Sequence, residues 1–139
     1  MIKDQAVVDG VNYDRTILIA EDEALLAIEV EDIVIKAGYS AIVVSGHDIP
    51  ADIEKFGFLA AIVDLNLMDG YDGRDLIKRL RAFNRKLPVL VMTGYSRASD
   101  RADLRGLGGP TARVEKPINQ VEFVHKLRCA INSQDGIAC

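Results

Sequence analysis

Four short runs that are apolar at every position, not at every second one, and a weaker fifth limit how this chain can fold. They are residues 17–20 (ILIA), 41–44 (AIVV), 59–63 (LAAIV), 89–92 (VLVM, entered through Pro88) and a weaker run near 112–115 that contains Arg113. A strand with one face in water alternates apolar and polar residues. A strand covered on both faces need not, and continuous apolarity is the pattern of parallel sheets buried between helices. The stretches between the runs carry helical spacing instead. Residues 23–37 place Leu26, Val30, Ile33 and Ala37 on one face, with Gly38 as a C-terminal stop. Residues 73–83 carry Leu76, Ile77 and Leu80; residues 120–132 carry Val124, Leu127 and Ile131, opened by Asn119 and Glu122 in a capping-box-like pair. Strands alternating with helices predict an α/β fold, a doubly wound five-stranded parallel sheet in a three-layer sandwich.

The chain's 139 residues suffice for one domain with a sizeable core. We divide it into an N-terminal arm (1–15), the domain (16–132) and a C-terminal tail (133–139), which is too short for an attached effector. A net charge of −4 argues against nucleic acid or an anionic membrane as partner. Cys129 and Cys139 form no Cys-x-x-Cys pair, so neither a zinc site nor a disulfide framework is expected. The start lacks the apolar core of a signal peptide, and no apolar run reaches membrane-spanning length. The expected setting is cytoplasmic.

In doubly wound sheets ligands gather beyond the carboxyl ends of the strands. Glu21 and Asp22 follow the first run, Asp64 the third, Thr93 and Gly94 the fourth, and Lys116 and Pro117 the fifth. Singly, each has an ordinary explanation: Asp22 as a helix N-cap, Asp64 as a turn residue, Lys116 as a loop lysine. Together they put three acids, a hydroxyl and a lysine on one edge. Two carboxylates about 4 Å apart repel by roughly 4 kcal/mol at an effective dielectric near 20, so the cluster calls for a cation. A hard ion such as Mg²⁺ takes carboxylate, carbonyl and phosphate oxygens. A carboxylate beside it can accept a phosphoryl group, whose oxygens then need donors and positive charge. Lys116, the Thr93 hydroxyl and the Gly94 N–H offer them.

The stretches ILIAEDE, AIVDLNL, PVLVMTGYS and VEKPI carry this pattern, and with them residues 16–132 resemble the response-regulator receiver domains of bacterial two-component (phosphorelay) signalling. The resemblance implies a flavodoxin-like strand order 2-1-3-4-5 and a stand-alone phosphorylation switch, not a conventional enzyme. It implies that Asp64 accepts phosphate from a histidine kinase or histidine phosphotransfer protein. Glu21, Asp22, Asp64 and the Asn66 backbone carbonyl would hold Mg²⁺, with Mn²⁺ as an alternative ion. Thr93 would be the switch hydroxyl and Lys116 the phosphoryl contact. The Lys116–Pro117 peptide would be cis, and Asn66 and Tyr95 would tune phosphoryl lifetime. Output would run through an unidentified downstream protein or onward phosphotransfer. The alternative is a degenerate receiver that binds partners without phosphorylation.

Three places depart from the family pattern. The usual proline four residues after the acceptor is Met68, and the usual glycine eight after is Asp72, with Gly73 one further on. The loop therefore reads as one residue longer, with a turn at Asp69-Gly70. Arg113 stands where the family often has an aromatic switch residue. Because burying a guanidinium is costly, it is expected to remain at the output surface. Residues 96–106 are poor helix material, so a short or mobile fourth helix is expected, with Arg97, Arg101 and Arg105 as a solvated stripe. A haloacid-dehalogenase-type phosphatase would need an acid where Asn66 stands. A calcium loop would need a ligand where Met68 stands. His47 and His125 read as loop and surface residues.

Overall fold

The computed structural model describes residues 7–8, 11–67, 72–94 and 104–133. Strands β1 (Val7–Val8) and β2 (Val11–Asn12) form a separate antiparallel pair. The main sheet holds β3 (Thr16–Ala20), β4 (Ser40–Val44), β5 (Ala60–Asp64), β6 (Val89–Thr93) and β7 (Thr111–Glu115). All its pairings are parallel, in the order β4-β3-β5-β6-β7. Counted along the sheet strands alone, this is 2-1-3-4-5, the doubly wound order expected. Helices α1 (Ala24–Lys36), α2 (Gly73–Phe83) and α3 (Gln120–Ser133) supply the outer layers.

Each run is apolar throughout because its alternate side chains enter two different cores. Ile17, Ile19, Ala60, Ile62, Leu90, Met92 and Val114 face Val30, Ile33 and Val34 of α1 and Phe123 and Leu127 of α3. Leu18, Ala20, Ala61, Val63, Val89 and Val91 face Leu76, Ile77 and Leu80 of α2. Fully burying one such side chain contributes about 1.5–3 kcal/mol. No helix among the described residues is long and apolar enough to cross a membrane.

The helix ends follow local chemistry. Gly38, at φ 102°, closes α1: its N–H donates to Ile35 O, and the next N–H, of Tyr39, reaches back to Val34 O. This 6→1 and 5→2 pattern is the Schellman motif, which needs a left-handed residue. Asp72 caps α2 by accepting the Arg74 N–H at 2.9 Å, and Asn119 caps α3 by accepting the Glu122 N–H at 3.0 Å. The N-cap of α1 is Glu23, without a side-chain cap bond, so Asp22 is not spent on capping.

The layer on the α2 side is unequal to the other. Between β4 and β5 the chain makes only a single 3-10 turn, Ile53–Lys55. Its Ile53 is fully buried, and Phe56 and Phe58 stack 5.6 Å apart with Tyr13 against both. Arg79 of α2 ties the segment down, through Glu54 at 2.8 Å and the Pro50 carbonyl at 3.2 Å. Tyr13 thus packs with the domain although the sequence placed it in the arm. Cys129 is disulfide-bonded, although the cysteine spacing had suggested no disulfide framework.

Candidate functional site

Parallel register sets the site. Ala20 lies opposite Val63 and Val44, Asp64 opposite Met92, and Thr93 opposite Glu115. The residues that follow β3 and β7, and those that end β5 and β6, therefore emerge together at the carboxyl edge. Asp64 ends the central strand, 4% exposed. Its Oδ2 lies 2.8 Å from Lys116 Nζ, and its Oδ1 accepts the Asn66 N–H at 2.9 Å. Glu21 is 3% exposed beside it. One Glu21 oxygen, Oε2, accepts the Glu23 N–H at 3.1 Å. The other, Oε1, is enclosed without a hydrogen bond, 3.4 Å from Lys116 Nζ.

Burial, then the neighbouring Asp64 carboxylate, pushes the Glu21 carboxyl up to about 7; the Glu23 amide and Lys116 only partly oppose this. Burial would lower the pKa of Lys116, but hydrogen bonds and charge from Asp64 and Glu21 outweigh it and hold the ammonium above its ordinary value. Two enclosed carboxylates thus share one ammonium. Thr93 is buried, and its carbonyl accepts the Lys116 N–H at 3.0 Å, tying β6 to the lysine. Gly94 is exposed, with open space where a Cβ would stand. The Lys116–Pro117 peptide is cis.

Asp22 is half-buried on the same edge, but its Oδ1 accepts the Gly46 N–H at 2.5 Å. Among the described residues no three acidic, His or Cys side chains surround a common point. The donor set nevertheless fits a hard divalent ion. Glu21 Oε1 is a buried carboxylate oxygen lacking a hydrogen bond, and the site holds more negative than positive charge. A cleft of about 570 Å³ lies at the opposite end of the sheet against Arg81, Arg85 and Lys86 and touches none of these groups. Another, about 410 Å³, opens between α1 and β4 and includes Glu21 and Asp22 in its wall.

The family model of the response regulator receiver domain matches residues 17–128. The chain belongs to that family. Among its relatives, the transcriptional regulatory protein TctD of Salmonella typhimurium is 30% identical over 122 residues, 86% of this chain and 53% of TctD. The sensory transduction protein RegX3 of Mycolicibacterium smegmatis is 31% identical over 117 residues, 84% of this chain and 50% of RegX3. The receiver spans about half the length of these curated relatives. A sensor protein from Polaromonas superposes with a TM-score of 0.72 at 29% identity, covering 86% of this chain and 97% of that one. The receiver domain of a sensor histidine kinase from Pseudomonas aeruginosa, solved with magnesium in its active-site cleft, gives a TM-score of 0.72 at 23% identity, covering 85% and 98%. Receiver domains are phosphoacceptor switches that take phosphoryl groups from histidine kinases, and the family binds Mg²⁺ in its active site.

Met68, Asp69 and Gly70 lie outside the described residues, as do Tyr95, Arg97 and Arg101 and most of the expected fourth helix. The base of the loop is described: Asn66 and Asp72 form an antiparallel bridge, and Gly73 N–H donates to Leu65 O at 3.1 Å. Arg113, expected at the surface, is half-buried with Nη1 shut off from solvent. Strand alternation explains this. Val114 and Ala112 enter the core shared with α1 and α3, which puts Arg113 on the other face of β7. Gly73 was noted in the sequence only for its position in the loop. A glycine opening a helix carries a helix-propensity cost, and that was the available signal of a close approach.

Proposed function

We propose that this receiver is a switch phosphorylated on Asp64 by a histidine kinase or a histidine phosphotransfer protein. Its output would run through protein contacts or onward phosphotransfer. The observation that carries the reading is the enclosed pair Asp64–Lys116 at 2.8 Å, with the hydrogen-bond-deficient Glu21 beside it. A carboxylate oxygen of Asp64 would attack phosphorus. The N–P bond of the phosphohistidine breaks, its electron pair leaves with the imidazole nitrogen, and the imidazole takes up a proton. Lys116, already on Oδ2, would follow the negative charge onto a phosphoryl oxygen, and the Thr93 hydroxyl and the N–H groups of Asn66 and Gly94 would serve the others. Glu21, Asp22, Asp64 and the Asn66 carbonyl would hold Mg²⁺, which supplies the positive charge that lets a dianionic group approach the acids. Mn²⁺ has the same ligand preference and would substitute.

The acylphosphate carries about −1.5 to −2 charges where the carboxylate carried one, and this biases conformations already present. The setting of such a donor–acceptor pair would be the cytoplasm. Incubation with a phosphorylated histidine phosphotransfer protein tests the reading: label should move to the wild type and not to Asp64→Asn. If several such donors and acetyl phosphate all leave the wild type unlabelled, the phosphorylation-independent binding module becomes the better reading.

A further inference from the structure

The first residue of α2 lies against the phosphoacceptor's own backbone. A Cβ built on Gly73 would stand 2.3 Å from Asp64 O, 2.9 Å from Leu65 Cα and 3.0 Å from Asp64 C. All three are backbone atoms, so no rotamer change relieves the clash. Either the start of α2 or the Asp64–Leu65 peptide must move, by on the order of 1 Å, within a close-packed interior. Neither is loose. Leu76 and Ile77, one turn into α2, are fully buried, and Asp64 is the end of a central strand paired on both sides.

Three bonds close the chain around that contact. Gly73 N–H donates to Leu65 O at 3.1 Å; Asn66 and Asp72 pair across the neck of the loop; and Asn66 N–H donates to Asp64 Oδ1 at 2.9 Å. The backbone of residues 64–66 is thus held between the strand and the helix. The same backbone fixes one carboxylate oxygen of Asp64 and carries the Asn66 carbonyl.

We propose that Gly73 is a positioning residue for phosphoryl transfer. Its missing side chain lets α2 seat on the Asp64–Leu65 peptide and holds Asp64 and Asn66 in register with Lys116. The inference rests on Asp64 being the acceptor, and it adds a residue that touches neither phosphate nor metal.

The test compares Gly73→Ala with Asp72→Ala. Both perturb the start of α2, but only the first pushes on Asp64. Asp72→Ala loses the cap and should lower the melting temperature by a few degrees. Labelling rates with acetyl phosphate and Mg²⁺ are measured below each variant's melting transition, with sucrose added if needed to keep both folded. Gly73→Ala should label about ten- to a hundredfold more slowly than wild type, the size of effect that a misplacement near 1 Å produces. It should also need more Mg²⁺ for half-maximal rate, while Asp72→Ala labels like wild type. A folded Gly73→Ala that labels at the wild-type rate, or an Asp72→Ala that is slowed as much, overturns the role of Gly73 and leaves Asp64 as acceptor. A wild type that takes no label overturns both. If Gly73→Ala does not fold, amide exchange in the wild type decides. The Gly73 amide should be protected to the level of β5 amides, and exchange at the rate of an exposed amide overturns the proposal.

Discussion

At the amino edge of the sheet Arg81 is 5% exposed, and at the carboxyl edge Glu21 is 3% exposed, yet the two buried charges are held in opposite ways. The Arg81 guanidinium donates to the carbonyls of Leu87, Leu107, Gly108 and Pro110 and to Thr111 Oγ1. Burial lowers its pKa to about 10, which still leaves it charged at neutrality. Gly109 makes room for it, since a Cβ there would lie 2.7 Å from Arg81 Nε. Every direction in which this side chain can donate is used, so it joins α2 to the strand starts and asks nothing of solvent or ligand. Glu21 keeps one oxygen without a hydrogen bond, competes with Asp64 for Lys116, and sits near the neutral range. A buried charge saturated by neutral groups is a structural tie. A buried charge left short of partners is a place prepared for something else to bind.

Three measurements break or sharpen that contrast. The largest effect should come from Arg81→Met, which leaves several buried carbonyls without a donor. Urea unfolding should show a loss of about 3–5 kcal/mol, with phosphoryl labelling of the folded fraction unchanged. A loss under about 1 kcal/mol would show that Arg81 is not the tie described.

Next is Glu21→Gln, read through pH in the presence of a chelator. The folded Glu21 binds its proton more tightly than the unfolded chain does, with a pKa about 7 against 4.5. Stability should therefore fall as pH rises from about 4.5 through 7 and level off above, by on the order of 3 kcal/mol. Glu54 and Asp72 are both lowered from their ordinary values of 4.5 and 3.8, so their contributions change as pH falls below those values and not within this window. Glu21→Gln should flatten the slope between pH 5 and 7. An unchanged slope would mean that Glu21 is not the strained group.

The smallest effect belongs to Arg79→Ala. Its ion pair with Glu54 is about a third exposed on the arginine side, so thermal unfolding should register no more than about 1 kcal/mol. A larger loss would move Arg79 into the same class as Arg81.

What was legible in the sequence follows from this contrast. The strands were readable because burial on both faces removes alternation, and the three helices because each shows one apolar stripe. The site acids and Lys116 were readable because strand ends collect at one edge whatever the loops do. Arg81 was not, since a cation in the polar-looking stretch RDLIKRLRAF reads as solvated, and only the approach of Leu107 to Pro110 buries it. Nor were Gly73's contact with Asp64 or Tyr13's place beside Phe56 and Phe58, both of which are tertiary approaches between distant segments. Arg113's half-buried place was not legible, because the cost of burying a guanidinium was weighed without the strand alternation that sets it opposite Ala112 and Val114. The single 3-10 turn between β4 and β5 follows from short apolar pieces around Pro50 and Gly57, too broken for helical periodicity to develop.

The central claim is that the frustrated acids at the carboxyl edge exist to bring a phosphoryl group onto Asp64. Intact-mass analysis after incubation with acetyl phosphate tests it most directly, with Mg²⁺ or with chelator, on wild type and Asp64→Asn. The account predicts a gain of one phosphoryl group on the wild type that requires Mg²⁺ and is absent from Asp64→Asn. A gain of the same size on Asp64→Asn, or one indifferent to chelator, would contradict it.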